Sequence, residues 1–268
     1  RLELKKDFFA KTTGPPPPQR AFKVPSHWAL GQPRYFLSAM VDFGLLYFRP
    51  RLSFGYGKPF HTWLGFDFNP IVSGEGLGTW FGVRGALPWI DIRVGGRYRY
   101  TFTRSFLEPR ESYDRQQIES RAGPHSTYLS LEAELTGNFP LGPGLVLLEL
   151  AATAVTGVDD GWWVYEETVR AVLEPPWVLR TRGGYALTFG ATGWFSVGAV
   201  LEGVFMTKRG KAVLRGGVLV RAKLFRNVEA RGTFVPALAS PDQLGKAGGD
   251  SFQIGIRLRW ATGQRSFH

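Results

Sequence analysis

SFQIGIRLRW, residues Ser251 to Trp260, decides how the rest of the chain is read. Phe252, Ile254, Ile256, Leu258 and Trp260 fall on one face, and Ser251, Gln253, Gly255, Arg257 and Arg259 on the other. A strict period of two is the signature of a β-strand with one apolar and one polar side. The same alternation recurs upstream. Tyr35, Leu37, Ala39, Val41, Phe43, Leu45 and Tyr47 share a face, Arg49-Pro50 reads as a break, and Leu52, Phe54 and Tyr56 resume the pattern, followed by Leu64, Phe66 and Phe68. In Trp89 to Thr103, the residues Ile90, Ile92, Val94, Tyr98, Tyr100 and Phe102 oppose Asp91, Arg93, Arg97, Arg99 and Thr101.

The final stretch also has a specific order: polar Gln253, then Gly255, apolar Leu258 and aromatic Trp260. In this it resembles the C-terminal β-signal of Gram-negative outer-membrane β-barrels, although residues 261–268 follow the last aromatic. The resemblance implies an integral outer-membrane location and a last strand read by the outer-membrane assembly machinery, with Gln253, Gly255, Leu258 and Trp260 as the assembly signal. Outer-membrane lipid and lipopolysaccharide would surround such a barrel.

Composition agrees with that class. The chain has no cysteine, which excludes disulfides and thiolate metal sites. It is 44% hydrophobic with 34 glycines, 9 tryptophans and 21 phenylalanines. No run reaches the ~18–20 apolar residues of a membrane helix. The first residue is Arg1, which reads as a processed or trimmed product. The formal charge of +11 points to an anion-attracting lumen or to anionic lipid headgroups. No basic run is interleaved with exposed aromatics outside the strand pattern, so nucleic acid is not expected as a partner.

Residues 1–34, with the proline run Pro15 to Pro18, read as a periplasmic tail or linker, and residues 35–268 as the barrel. Residues 73–78 read as a flexible loop and 237–250 as another. The longest polar interruption, residues 104–124, would fold inward as a constriction or outward as a binding surface. Other envelope proteins could dock on this loop or on the N-terminal tail. Trp162 to Leu173 reads as a weaker strand, with Glu166 on its polar face. An odd segment count must be corrected in a single-chain barrel. Merging residues 51–70 into one strand gives an all-β, antiparallel, up-and-down transmembrane barrel of about 12 strands, and a strand hidden before Tyr35 would give about 14.

Membrane rather than soluble packing is expected from three features. The strands are long enough to cross a bilayer at a tilt. Trp89, Trp162, Trp163, Trp177, Trp194 and Trp260 lie near segment ends, as interfacial girdles require. The polar face mixes glycines (Gly55, Gly57, Gly65, Gly95, Gly217, Gly255) with long arginines, which suits a confined interior.

Arg215, Arg221, Lys223, Arg231, Arg257 and Arg259 gather on the last strands, Arg93, Arg97 and Arg99 on an earlier one, and Glu132, Glu134, Glu149 and Glu166 between them. Two readings follow. In one, these residues line a pore whose transverse field resembles that of general porins and passes small polar or anionic solutes. In the other, Arg93, Arg97 and Arg99 pair with Glu132 and Glu134 in a cross-strand ladder that fills the barrel. The barrel would then be a non-conducting, structural or docking subunit of an envelope complex serving secretion, polysaccharide export or gliding motility. Catalysis is not expected, and no cofactor or metal. His27, His61, His125 and His268 lack metal-ligand spacing. His125 and Thr127 resemble the His-x-Ser pair of outer-membrane lipid A deacylases and phospholipases, but threonine replaces the serine and Ser126 points the other way.

Overall fold

The alternation becomes a closed antiparallel barrel in the computed structural model, which describes residues 27–44, 47–73, 76–119, 123–190, 193–244 and 252–263. Its strands in chain order are β1 (Arg34–Gly44), β2 (Tyr47–Lys58), β3 (Thr62–Ser73), β4 (Gly76–Ala86), β5 (Ile90–Ser105), β6 (His125–Leu141) and β7 (Gly144–Thr156). A small hairpin, β8 (Val164–Glu166) and β9 (Ala171–Leu173), comes next. The wall continues with β10 (Trp177–Phe189), β11 (Phe195–Met206), β12 (Lys211–Phe225) and β13 (Val228–Phe234), then the short β14 (Ala237–Ala239), and ends with β15 (Phe252–Ala261). Twelve strands close the wall, each bonded to its sequence neighbour apart from the β8–β9 interruption and the β14 extension. β15 makes the closure: Arg257 lies opposite Glu229 of β13 on one side and Asp42 of β1 on the other.

The apolar face points out. Phe54, Phe66, Phe81, Val94, Leu131, Leu150, Leu201 and Ile254 are exposed around the circumference. A belt of this kind stands in hydrocarbon, and closure leaves no unpaired strand edge inside the membrane. Tyr35, Tyr56, Trp89, Trp194 and Trp260 mark one rim, and Tyr100, Phe102 and Trp177 the other. The chain is therefore an integral β-barrel of the outer-membrane type.

The two rims differ. The one where β1 begins and β15 ends carries only the short connections 59–61, 87–89, 142–143, 190–194 and 226–227. The opposite rim carries the long connections 106–124, 157–176 and 235–251. Long loops face the exterior in such barrels and short turns the periplasm, which sets the orientation.

The twelve strands are not the twelve expected. Residues 51–70 are not one strand: β2 and β3 are separate and joined through residues 59–61. The segment that leaves the wall is 162–173, which forms the β8–β9 hairpin. Arg49-Pro50 is not a break either. β2 begins at Tyr47 and runs through Pro50, and its ladder to β3 lapses between the Phe48–Val72 and Leu52–Phe68 pairs, where Pro50 and Pro70 contribute no N–H. Of the expected loop at 73–78, Ser73 belongs to β3 and residues 76–78 to β4, with 74–75 outside the described residues, and the expected 237–250 loop contains β14, which pairs with β12. Trp162 and Trp163 lie outside the strands; Trp163 packs inward on Tyr113 and joins no girdle.

Residues 1–26, including the proline run, lie outside the described residues. Residues 27–29 form a single 3-10 turn beneath the periplasmic rim. His27 Nε2 meets Asn227 Oδ1 at 3.1 Å, Trp28 packs edge-on against Phe60, and Lys58 donates to the Ala29 carbonyl at 2.9 Å. This stretch thus bridges the β12–β13 turn and the β2–β3 turn.

Inside, the Trp80 ring occupies the room that two glycines leave. Gly82 and Gly95 are cross-strand partners, and a Cβ on either would stand 2.8 Å from the Trp80 ring. A Cβ on Gly95 would also come within 2.3 Å of the Phe81 carbonyl oxygen. Gly95→Val is expected to lower stability by about 1–3 kcal/mol through overpacking. A fall in the heat-modifiable, folded fraction after refolding checks this; an unchanged fraction contradicts it.

Candidate functional site: the charged lumen

Period two places every second residue of each strand in the lumen, so the interior is read by register. Arg93, Arg97 and Arg99 of β5 point inward, as do Glu132 and Glu134 of β6, Glu149 of β7, Arg215 and Arg221 of β12, Arg231 of β13, and Arg257 and Arg259 of β15. Sequence reasoning did not single out Arg180 and Arg182 of β10, Glu202 of β11 or Asp42 of β1 as a bonded set. They complete the pattern.

On the β5–β12 side the charges form one alternating chain. Arg93 Nη2 donates to Glu134 at 2.7 Å, and Glu134 is 3.4 Å from Arg180. Arg180 pairs with Glu149, which lies 3.4 Å from Arg182. Arg182 Nε donates to Glu202 at 3.0 Å, and Glu202 accepts from Arg215 at 2.6 Å. Arg97 grips Glu132 through two bonds of 2.5 and 2.9 Å. Desolvated charges of this kind are tolerated because each finds an opposite partner and hydrogen bonds. The ladder expected between β5 and β6 is present for Arg93 and Arg97. Arg99 differs: its Nη1 is 2.6 Å from Glu167, beyond the end of β8. The acidic strands thus answer their own neighbours rather than the C-terminal basic strands across the barrel.

The β8–β9 hairpin is held inside this wall. Glu166, Ala171, Val172 and Leu173 are fully buried. Val164, Val169, Ala171 and Leu173 share a core with Tyr128, Val155, Val178, Val204, Met206 and Val213. These wall residues come from β6, β7, β10, β11 and β12. Arginines dock the hairpin's tip: Arg104 to Glu167 at 3.1 Å, Arg180 to the Thr168 carbonyl at 3.3 Å, and Arg215 to the Arg170 carbonyl at 2.8 Å. The inward-folding element is therefore 164–173 and not 104–124. Loop 106–124, with its one-turn helix α1 (Arg115–Ile118) capped by Asp114, lies against the hairpin through Leu107, which exchanges backbone bonds with Trp163 at 2.8 Å.

Three long connections then meet at one arginine. Arg209, in the turn between β11 and β12, donates to Asp242 at 2.6 and 2.7 Å, to the Val172 carbonyl at 3.0 Å and to the Glu111 carbonyl at 3.0 Å. Its guanidinium also lies 5.4 Å from the Tyr113 ring and 5.1 Å from that of Trp163. We call this assembly of loops the cap. Burial holds the Tyr113 phenol up at about 12, with Asp242 adding to the effect and Arg209 opposing it. A tyrosine whose folded pKa exceeds its unfolded value of 10.0 contributes stability that is complete below about pH 10 and lost as pH climbs towards about 12. Protease nicking of loop 106–124 should accordingly rise over that window, and Tyr113→Phe should remove the tyrosine's share of the rise.

The other side of the lumen is built differently. Arg257 is paired with Asp42 by bonds of 2.5 and 2.6 Å. Arg231 pairs with Glu229, which Arg259 also approaches at 3.5 Å. Arg84 bridges Asp67 at 3.0 Å and Asp91 at 2.9 Å. Arg51 of β2 reaches the same Asp67 at 3.8 Å. On β13, β15 and the adjoining lengths of β12 (below Arg215) and β1 (beyond Ser38), five cationic side chains (Arg221, Lys223, Arg231, Arg257, Arg259) face two carboxylates, Asp42 and Glu229.

Gln253 and Gly255 point into the lumen, and Leu258 and Trp260 face outward. His125 and Thr127 are 3.3 Å apart on the outer surface near the exterior rim, where the imidazole lies tilted against the Tyr100 ring. Among the described residues no group of three or more His, Asp or Glu side chains could hold a metal ion.

No protein-family model matches the chain, and no curated protein matches it in sequence. Several solved structures are distantly similar to it. The KdgM porin is 10% identical, with 87% of this chain and 99% of that one covered and a TM-score of 0.39. The NanC porin is 10% identical over 85% and 98%, with a TM-score of 0.39. CdiB from Acinetobacter baumannii is 8% identical over 87% and 60%, with a TM-score of 0.43. These are likenesses of fold.

Proposed function

We propose that the barrel is a passive outer-membrane channel for small anionic solutes. The path would run between the docked hairpin and the cation-rich wall. The observation that carries this reading is the imbalance of five cations (Arg221, Lys223, Arg231, Arg257, Arg259) against two carboxylates (Asp42, Glu229) on that wall, opposite a wall whose charges alternate. Fixed positive charge in a narrow, low-dielectric lumen raises the local anion concentration and repels cations. On the same reading, Gln253, Gly255, Leu258 and Trp260 serve as the tag for the assembly machinery, and the exposed belt contacts lipid and lipopolysaccharide.

A planar bilayer with a salt gradient tests the channel. Stable conductance steps with an anion-directed reversal potential are expected. Replacing Arg257 and Arg259 together by alanine should reduce the preference strongly, because it removes two cations and leaves Asp42 without its partner. A heat-modifiable, folded barrel that passes no current overturns the channel. The hairpin filling one side of the lumen favours what would then remain: a non-conducting barrel acting as a structural or docking part of an envelope complex.

A further inference from the structure

We infer that the periplasmic half of the lumen holds a discrete binding site for a multiply charged oxyanion of the phosphate or pyrophosphate type, formed by Arg221, Lys223, Arg231 and Arg259. The inference deepens the anion-channel reading, though the site itself would exist whether or not current flows.

Arg221 of β12 and Arg231 of β13 are direct cross-strand partners on the same, inward face. Like charges placed directly opposite destabilise a sheet. Elsewhere in this barrel the same situation is resolved by interleaved carboxylates: Arg84 and Arg93, also direct cross-strand partners, are bonded to Asp67 and Asp91 and to Glu134 respectively. Among the described residues Arg221 and Lys223 have no carboxylate within 4.0 Å, and Glu229 is shared by Arg231 and Arg259. With Arg257 committed to Asp42, four cations are left to one carboxylate. They are reachable from the lumen: the Arg231 side chain is 37% exposed and that of Arg259 22%, whereas Glu229 is nearly closed off at 3%. Residual charge on solvent-facing guanidiniums, with the carboxylate beneath them, leaves donors directed at the lumen. Guanidinium forks match oxyanions by paired hydrogen bonds, and a ligand with two or more charges neutralises the surplus where chloride cannot.

The test is titration calorimetry of the refolded full chain in detergent, with inorganic phosphate and inorganic pyrophosphate as probes against a background of chloride. One saturable site per chain is expected, tighter for pyrophosphate. Arg221→Gln and Arg231→Gln should each weaken it at least tenfold, and Lys208→Gln at the exterior turn should leave it unchanged. Because Arg221 has no carboxylate to lose, Arg221→Gln should also raise the thermal midpoint without ligand and abolish the further rise that pyrophosphate gives the wild type. Absence of saturable binding, or binding indifferent to both arginine variants, overturns the site. A barrel that binds pyrophosphate but passes no current keeps the site and overturns the channel. Anion conduction without saturable binding does the reverse.

Discussion

Arg209→Ala should open the cap. Its side chain is 1% exposed and that of Asp242 fully buried, so truncation strands a buried carboxylate and releases three connections at once. Breaking a buried pair by removing one partner costs about 3–5 kcal/mol. That cost falls on the loops, because the barrel strands keep their ladders. The denaturation midpoint of the barrel should therefore move little, while protease cleavage within 106–124 and 157–176 should rise by orders of magnitude. If current flows, its unit conductance should increase as the hairpin loses its outer support. Arg209→Lys should not restore the cap, since a single ammonium cannot reproduce a planar fork that meets Asp242, Val172 and Glu111. Loops that stay protease-resistant in Arg209→Ala would show that the apolar contacts of Tyr113, Ile118, Tyr165 and Val172 suffice.

The second large effect is expected at Glu202. It is 2% exposed and lies between Arg182 and Arg215, near the end of the alternating chain. Glu202→Ala leaves the buried Arg215 without its carboxylate and Arg182 with only its longer contact to Glu149, again a loss of about 3–5 kcal/mol, but here on the wall itself. The denaturant midpoint of the whole barrel should fall, in contrast to Arg209→Ala. Glu202→Gln keeps the shape and a hydrogen-bond acceptor and should lose less. Replacing Glu202, Arg182 and Arg215 together by methionine should recover part of the loss, because no buried charge is then stranded. Equal midpoints for the wild type and Glu202→Ala would mean that water already screens this position.

The inward and outward sets were legible because a strand has only two faces. Arg93, Arg97 and Arg99 could be assigned to one side of β5 before any partner was known. Their pairing was only half legible: the neighbour on β6 offered carboxylates to Arg93 and Arg97, but nothing local showed that Arg99 answers Glu167 beyond β8. The hairpin misled for a physical reason. Three-residue strands buried on both sides carry the same Val and Leu as a lipid-facing strand. The available signal was the adjacent pair Glu166-Glu167, which no strand with one face in lipid accommodates. The prolines misled in the opposite direction. Pro50 suggested a strand end, yet β2 continues through it because Pro70 lies across the same gap in the ladder. The cap left no periodic trace, since Glu111, Val172, Arg209 and Asp242 meet only through tertiary contacts.

Because a single turn residue fastens three connections that are far apart in sequence, the exterior presents one composite epitope. An antibody or phage protein that recognises it would read residues 106–119, 157–176 and 235–244 as a unit. Such recognition would fail on the denatured chain and on peptides from any one loop, and a mutation at the buried Arg209 would abolish it without altering a contact residue.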